Sequence, residues 1–132
     1  ADLQLAYHNH GFEFEEQNGE LGYDIILNNT DSDLVKMEID LYWFSHTSKL
    51  SAHHYFEKHP KRFPLVHFKD MDKTDRELHT VLGTGSIDFA PYVADYQIAG
   101  VKHIMVEQGN NYVPNAFDCI KRSAQFMKQK LV

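Results

Sequence analysis

The sequence is poor in cysteine: Cys119 is the only one among 132 residues, so no disulfide can form within the chain. The neighbouring Phe117 and Ile120 indicate that Cys119 lies on a helix and that its small side chain is packed against other residues. Basic residues are also scarce, with 13 Lys and Arg against 19 Asp and Glu and no Lys/Arg run. The net charge of −6 would repel a phosphate backbone, so we expect no nucleic-acid partner.

Long apolar runs and targeting signals are missing too. No stretch approaches the ~20 apolar residues that a membrane-spanning helix needs. No signal-peptide pattern opens the chain. We therefore expect no membrane partner and a cytoplasmic location by default. With 42% hydrophobic and 24% charged residues the chain can bury one core, which predicts a single domain over residues 1–132.

Four short stretches alternate apolar and polar residues, the pattern of a strand with one buried face. In the third of them, Val66 and Phe68 alternate with His67 and Lys69. Imidazole, carboxylate or ammonium groups occupy the face opposite the apolar one, which predicts a closed barrel with functional groups facing its interior. The predicted strands cover residues 5–10, 35–41, 64–70 and 103–107.

Predicted helices separate the strands. The first covers residues 23–27, and the second covers residues 53–58 and stops before Pro60. The third begins at Phe89, is capped by Asp88 and ends at Gly100. The last begins near Pro114. The predicted buried stripes are Phe89, Tyr92, Val93 and Tyr96 in the third helix, and Phe117, Ile120, Ala124, Met127 and Leu131 in the last. Residues 11–22, 45–51 and 70–80 are predicted loops, and Gly83–Ser86 a turn rather than a dinucleotide fingerprint.

Strand and helix alternate four times, which is the repetition that builds a parallel sheet covered by helices. Strands that carry acids and imidazoles toward their C-terminal ends point to the (β/α)8 barrel, whose active sites lie at that face. A whole barrel needs ~200 residues or more. We therefore predict an α/β fold of four βα units, a half-barrel or a fragment of a barrel. Its outer strands would expose unpaired edges, through which two copies could form a homodimer.

Four side chains are candidate metal ligands: His8, Asp40, His67 and Glu107. They are separated by 32, 27 and 40 residues, about one βα unit each, so successive strands can bring them to one end of the sheet. Two imidazoles and two carboxylates suit Mn²⁺, Co²⁺, Zn²⁺ or Fe²⁺ better than Ca²⁺. The alternative is that each inward carboxylate belongs to an internal ion pair. Five other histidines are predicted in loop or surface positions: His46, His53, His54, His59 and His79.

Five motifs together resemble the sugar phosphate isomerase/epimerase family, the xylose isomerase-like TIM barrels. They are YHNHGFEF (7–14), EIDLYW (38–43), VHFKD (66–70), GTGSIDF (83–89) and VEQ (106–108). The resemblance covers nearly the whole chain and implies strands five to eight of the family's barrel. It also implies one metal, held by an acidic residue from strand five, Asp from six, His from seven and Glu from eight. Asp40, His67 and Glu107 match the last three, whereas His8 stands where many members carry Glu.

The resemblance implies a divalent-metal-dependent isomerase or epimerase that takes a proton from the carbon next to a metal-polarised carbonyl. The substrate would be a sugar, sugar phosphate or keto-sugar, and the ion Mn, Co or Zn, with Mg or Fe as further candidates. The Tyr-His-Asn-His form looks closer to the inosose dehydratase-like branch, so a lyase is one alternative. A non-catalytic carbohydrate-binding half-barrel is the other. An abasic-site endonuclease is disfavoured because acidic residues outnumber basic ones and because the candidate ligands would hold only one metal ion.

Several residues are assigned to catalysis and substrate binding on this basis. Glu107 is the candidate base, while His10, Glu38 or Lys69 would supply the second proton. His10, Trp43 and Lys69 are candidate substrate contacts, although His10 could instead support the metal site and Trp43 could pack under a loop. Glu38 is expected to be a buried partner of Lys36 or His103, or a ligand.

Overall fold

The structure is a computed structural model that describes residues 3–131. Its strands are β1 (Leu5–His8), β2 (Glu16–Gln17), β3 (Glu20–Leu21), β4 (Val35–Asp40), β5 (Leu65–Phe68), β6 (Asp70–Met71), β7 (His79–Thr80) and β8 (His103–Val106). Its α-helices are α1 (Gly22–Asn29), α2 (Leu41–Thr47), α3 (Ala52–Lys58), α4 (Ala90–Ala94), α5 (Tyr96–Ala99) and α6 (Ala116–Lys130), and a 3₁₀ turn covers Phe12–Phe14.

The four predicted strands form one parallel sheet in the order β1-β4-β5-β8. The register pairs His8 with Glu38 and Asp40 with His67 across neighbouring strands. All four C-terminal ends therefore meet at one edge of the sheet, with helices following the strands. This is the predicted α/β architecture of four βα units.

The outward face of the sheet packs on the helices and forms the core. Met37 and Ile39 of β4 and Val66 and Phe68 of β5 are almost fully buried there. Aromatic rings from the helices and from the segment before β5 complete this layer, chiefly Phe14, Tyr23, Phe44, Tyr55, Phe56 and Phe63. Because side chains alternate along a strand, burial of these four fixes the polar residues between them on the opposite, inner face.

Two of the predicted loops contain short hairpins. Residues 11–22 include β2 and β3, which pair antiparallel around Asn18 and Gly19. Both turn residues have positive φ (55° and 87°), the conformation that a tight hairpin requires and that Asn-Gly favours. Residues 70–80 likewise contain β6 and β7.

The predicted loop over residues 45–51 was wrong at its start, because α2 begins directly at Leu41 and continues to Thr47. Asp40 caps this helix: its Oδ1 accepts from the backbone N–H groups of Tyr42 and Trp43, at 3.0 Å each. A seven-residue helix is too short to show clear periodicity, so the sequence pattern gave no signal for it.

The helix predicted from Phe89 to Gly100 is divided at Asp95 into α4 and α5. The predicted cap Asp88 lies one position too early, because α4 begins at Ala90 and Phe89 is its N-cap, but Asp88 Oδ1 accepts from the Ala90 N–H at 3.0 Å. Gly100 ends α5 with a φ of +83°. Of the predicted stripe, Phe89 is buried, whereas Tyr92, Val93 and Tyr96 are only half-buried.

The predicted buried face of the last helix was right at Met127 and Leu131, which pack on the core, and wrong at the other three positions. The residues of α6 that face the core are Cys119, Ser123 and Met127, and Cys119 is packed as expected. Phe117 is 75% exposed, and Ile120 and Ala124 are exposed too. Ser123 Oγ accepts from the Leu82 N–H at 3.1 Å, so a hydrogen-bonded polar side chain holds a position that an apolar stripe would not reveal.

Exposed apolar side chains lie at both open ends of the sheet. Leu5 on β1 is 64% exposed, with Leu3 and Leu34 exposed beside it. Phe117 is exposed on α6, the helix that contacts the other edge strand β8, and Val113 is exposed just before that helix. The homodimer through these edges stays a prediction. Within residues 3–131, no helix is both long and apolar enough to cross a membrane.

Candidate metal centre

The four candidate ligands lie together at the C-terminal edge of the sheet. His8 Nε2 is 3.4 Å from Asp40 Oδ2, and His67 Nε2 is 3.5 Å from Glu107 Oε2. The two imidazoles are adjacent, with Nδ1 atoms 3.2 Å apart. The strand register explains this, because His8, Asp40 and His67 end or nearly end neighbouring parallel strands and Glu107 directly follows β8.

Asp40 is held rigidly from both sides. Its side chain is fully buried, and its backbone N–H donates to Asn9 Oδ1 at 3.0 Å. Since Oδ1 caps α2, only Oδ2 faces the candidate centre, where its neighbours are the Lys69 ammonium at 2.9 Å and His8 Nε2 at 3.4 Å. Burial by itself raises the pKa of Asp40, but contacts with His8 and Lys69 outweigh burial and leave it below its ordinary value. A buried, ionised oxygen of this kind suits a cation.

Lys69 places its ammonium between two of the candidate ligands. Nζ is 2.9 Å from Asp40 Oδ2 and 2.9 Å from Glu107 Oε2, and the side chain is only 6% exposed. Burial lowers the pKa of Lys69, yet the two carboxylates outweigh it and raise the value overall. Glu107 shows the converse: burial raises its pKa, while Lys69 and His67 bring it below normal. Both groups are therefore charged at neutral pH.

The two histidines differ electrostatically. The hydrogen bond to Asp40 is the main reason why the pKa of His8 is raised, and it outweighs burial, which lowers that pKa. Burial is the main cause that lowers the pKa of His67. His67 is thus neutral and ready to donate a lone pair, whereas His8 would release a proton more readily once a cation approached.

Glu38 lies one layer below Asp40 on β4, and its partners differ from those expected. Its Oε1 is 3.3 Å from Nδ1 of His8 and 3.3 Å from Nδ1 of His67. Lys36 instead faces Asp33, at 3.9 Å. Glu38 therefore contacts both imidazoles on the side away from Asp40 and Glu107.

His10 and Trp43 stand at the entrance of the centre. The exposed His10 ring lies 5.2 Å from that of His8 and 5.7 Å from that of Trp43, between ring centroids. Phe12, which the sequence analysis did not single out, stacks on His10 at 6.2 Å with an interplanar angle of 10°. The three rings form a partly exposed aromatic wall beside the candidate ligands.

His79 was expected in a loop or surface position but is buried beneath the loops. Its Nδ1 accepts from the Gly109 N–H at 2.7 Å, and its ring packs against Tyr42. Burial lowers its pKa, so it is neutral. His46 and His53 pair with the acids Glu77 and Asp95 nearer the surface. Only its tertiary contacts, with Gly109 and Tyr42, distinguish the buried His79 from His46 and His53.

Asp70 organises the loop that follows β5, a role the sequence analysis missed. Its two carboxylate oxygens accept four backbone N–H groups, from Met71, Gly83, Gly85 and Ile87. A Cβ on Gly85 would lie 2.2 Å from the Met71 carbonyl oxygen, so glycine is required there. The Gly-Thr-Gly segment is thus a turn wrapped around a carboxylate, in agreement with the prediction of a turn.

Among residues 3–131, two groups of three side chains could hold a metal ion, and neither group contains all four of the predicted ligands. One comprises His8, Glu38 and His67, and the other Asp40, His67 and Glu107; in each, the potential ligand atoms lie within 4.8 Å of one another. Mixed imidazole and carboxylate donors suit Mn, Co, Zn or Fe. His67 belongs to both groups because its two ring nitrogens face opposite ways.

Comparison with known proteins adds evidence at the level of structure. No protein-family model and no curated protein matches the chain. A crystal structure of a sugar phosphate isomerase/epimerase from Parabacteroides distasonis matches with a TM-score of 0.81 at 25% identity, over 97% of this chain and 46% of that one. A second structure of a sugar phosphate isomerase/epimerase from the same organism matches with a TM-score of 0.72 at 25% identity, over 94% of this chain and 45% of that one.

The chain spans about half the length of the structures it matches. The predicted fold, four βα units that correspond to about half of a TIM barrel, is thereby confirmed. The resemblance to sugar phosphate isomerase/epimerase proteins that the motifs indicated is confirmed as a structural similarity over nearly the whole chain.

Proposed function

We propose that the chain supplies the metal-binding half of a divalent-metal-dependent isomerase or epimerase that acts on a sugar, sugar phosphate or keto-sugar. The observation that supports this best is the convergence of two imidazoles and two carboxylates with a charged lysine at the C-terminal edge of the parallel sheet. That edge is where barrels of this architecture hold their active sites. The structural neighbours are sugar phosphate isomerase/epimerases, which favours sugar chemistry.

His8, Asp40, His67 and Glu107 would hold the cation, with Mn, Co or Zn preferred and Mg or Fe as further candidates. When bound, such a cation polarises a substrate carbonyl and acidifies the neighbouring C–H. The fit rests on the donor chemistry and on Asp40 Oδ2, which is buried and ionised and faces the centre.

Glu107 is the proposed base, because it is ionised and its side chain is 43% exposed, so a substrate can reach it. It would take the proton from the carbon next to the carbonyl. Lys69 keeps this carboxylate ionised and offers an ammonium to a substrate oxygen at the same point. Its charge stabilises negative charge that develops on that oxygen.

His10 is the proposed second proton carrier, since its ring is exposed beside that of His8 and a substrate could reach it. Trp43 would form a wall for the sugar ring next to His10. Return of the proton to the same carbon from the other face gives an epimer, and return to the neighbouring carbon gives an isomer.

Hydrogen exchange in D₂O tests this proposal. The purified chain, loaded with Mn²⁺, is incubated with a panel of ketoses, and the loss of the C–H signal next to the carbonyl is followed by ¹H NMR. We expect exchange that Glu107→Gln abolishes and Glu77→Gln leaves unchanged, because Glu77 pairs with His46 outside the centre.

Other outcomes would replace the proposal. Loss of water to give a conjugated ketone, seen by ultraviolet absorption, would favour the dehydratase-like lyase. Binding of ketoses with neither exchange nor water loss would favour a non-catalytic carbohydrate-binding module.

A further inference from the structure

We infer that Glu38 is a positioning residue that fixes the proton of both His8 and His67 on Nδ1, which leaves both Nε2 atoms to hold the cation. The inference rests on the proposed function in taking the Asp40 and Glu107 side of the imidazoles as the metal-binding side. It assigns Glu38 a role other than ligand or general acid.

The geometry around Glu38 is symmetric. Oε1 is 3.3 Å from each of the two Nδ1 atoms, and those atoms are 3.2 Å from one another. The rings stand nearly perpendicular, at 82°, with centroids 4.8 Å apart. Their other nitrogens point away from Glu38, toward Asp40 Oδ2 at 3.4 Å and Glu107 Oε2 at 3.5 Å.

Proton placement follows from this geometry. A neutral imidazole carries one N–H, so a histidine that binds a metal through Nε2 must carry its proton on Nδ1 and needs an acceptor there. Glu38 Oε1, 3.3 Å from both Nδ1 atoms, is the anionic acceptor that two such N–H groups would need. With both protons on Nε2, two lone pairs would face each other and a carboxylate oxygen, which is repulsive. With only one ring protonated on Nδ1, that N–H could donate to the other Nδ1 at 3.2 Å, but the ring protonated on Nε2 could not bind the cation through that atom.

The rival arrangement makes Glu38 a ligand, with the cation among Glu38 and the two Nδ1 atoms. That position lies one layer deeper in the sheet, two residues below Asp40 and about 6–7 Å along the strand. It would leave Asp40 Oδ2 with the Lys69 ammonium alone and place the ion farther from His10 and Trp43, where a substrate would enter. The upper position adds the carboxylates of Asp40 and Glu107 as ligands, and Glu107 makes it accessible because its side chain is 43% exposed.

The test reads the imidazole nitrogens directly. Protein with ¹⁵N-labelled histidine is titrated with Zn²⁺, and two-bond ¹⁵N–¹H spectra show which nitrogen of each ring is protonated and which is coordinated. We expect Nδ1–H and Nε2-bound Zn²⁺ for both His8 and His67. Coordination through Nδ1 in either ring would overturn the inference in favour of the deeper position.

A substitution supplies the second measurement. Glu38→Gln keeps the size of the side chain but replaces the charged acceptor by an amide, and we expect Zn²⁺ affinity by calorimetry to fall about 10–100-fold, as for other groups that orient metal-binding histidines. Glu77→Gln is the matched control, since it removes a carboxylate 2.9 Å from His46 elsewhere and should leave the affinity unchanged. Affinity of the folded Glu38→Gln variant equal to that of the wild type would contradict the inference.

The wild-type spectra also separate the two proposals. If the chain binds no Zn²⁺, the proposed function fails, but the metal-free protein in alkaline solution still reports the tautomers of the neutral rings. Nδ1–H in both histidines would then uphold the role of Glu38, and Nε2–H in either would reject it. Because this reading needs no variant, it holds even if Glu38→Gln does not fold.

Discussion

Replacement of Lys69 by methionine is expected to destabilise the metal-free protein strongly. The ammonium lies 2.9 Å from Asp40 Oδ2, whose side chain is fully buried, and 2.9 Å from Glu107 Oε2. Methionine keeps the apolar stem but removes the charge. Asp40 is then left as a buried carboxylate that has lost its closest cation.

The size of the effect follows mainly from Asp40. Breaking a buried ion pair by removing one partner costs about 3–5 kcal/mol. The pair with Glu107 adds less than about 1 kcal/mol, because the Glu107 side chain is 43% exposed and water screens it. A loss of about 3 kcal/mol is a large part of the 5–15 kcal/mol typical of a domain and would lower the melting temperature by roughly 10 °C.

Thermal and urea unfolding of Lys69→Met without metal measure this loss. Lys58→Met is the matched control, because Lys58 Nζ is 3.3 Å from Asp24 Oδ1 in an exposed pair that should contribute below about 1 kcal/mol. Zn²⁺ should stabilise Lys69→Met more than the wild type, since a cation would replace the missing ammonium between the two carboxylates. If Lys69→Met unfolds no earlier than Lys58→Met, the reasoning about Asp40 is refuted.

Three further predictions concern pH, assembly and the loop after β5. The pKa values of Asp40 and Glu107 are lowered in the folded protein. Their ionised forms therefore stabilise the fold fully above their unfolded pKa values of about 4, and this stabilisation is lost as the pH falls through their folded pKa values. Urea unfolding at a series of acidic pH values measures this loss, which should be smaller in Lys69→Met. Phe117→Glu should reduce self-association in sedimentation equilibrium, and a wild-type chain that stays monomeric at high concentration would contradict the homodimer. Gly85→Ala should lower the melting temperature because its Cβ would meet the Met71 carbonyl oxygen, and an unchanged temperature would show that the turn can shift.

The sequence by itself determined the sheet and the set of polar groups at its C-terminal edge. Alternation around Val66 and Phe68 fixed which face is buried, and the same period of two placed His67 and Lys69 on the other face. Spacing of about one βα unit then predicted that His8, Asp40, His67 and Glu107 would converge. Local pattern is sufficient for this much because side-chain alternation along a strand is a short-range constraint, and the repeated βα unit then places the C-terminal ends of successive parallel strands at one edge.

Tertiary structure alone decided how these groups are paired. One carboxylate oxygen of Asp40 caps α2 and the other faces the candidate centre. Glu38 faces two histidines from different strands. The sequence pattern alone indicates neither arrangement. The buried face of α6 was misjudged for the same reason: Ser123 is buried because it accepts a hydrogen bond from the distant Leu82 N–H, while Phe117 lies in solvent. Hydrophobicity predicts burial only on average, and the partner that satisfies a polar group is fixed by contacts between residues far apart in the chain.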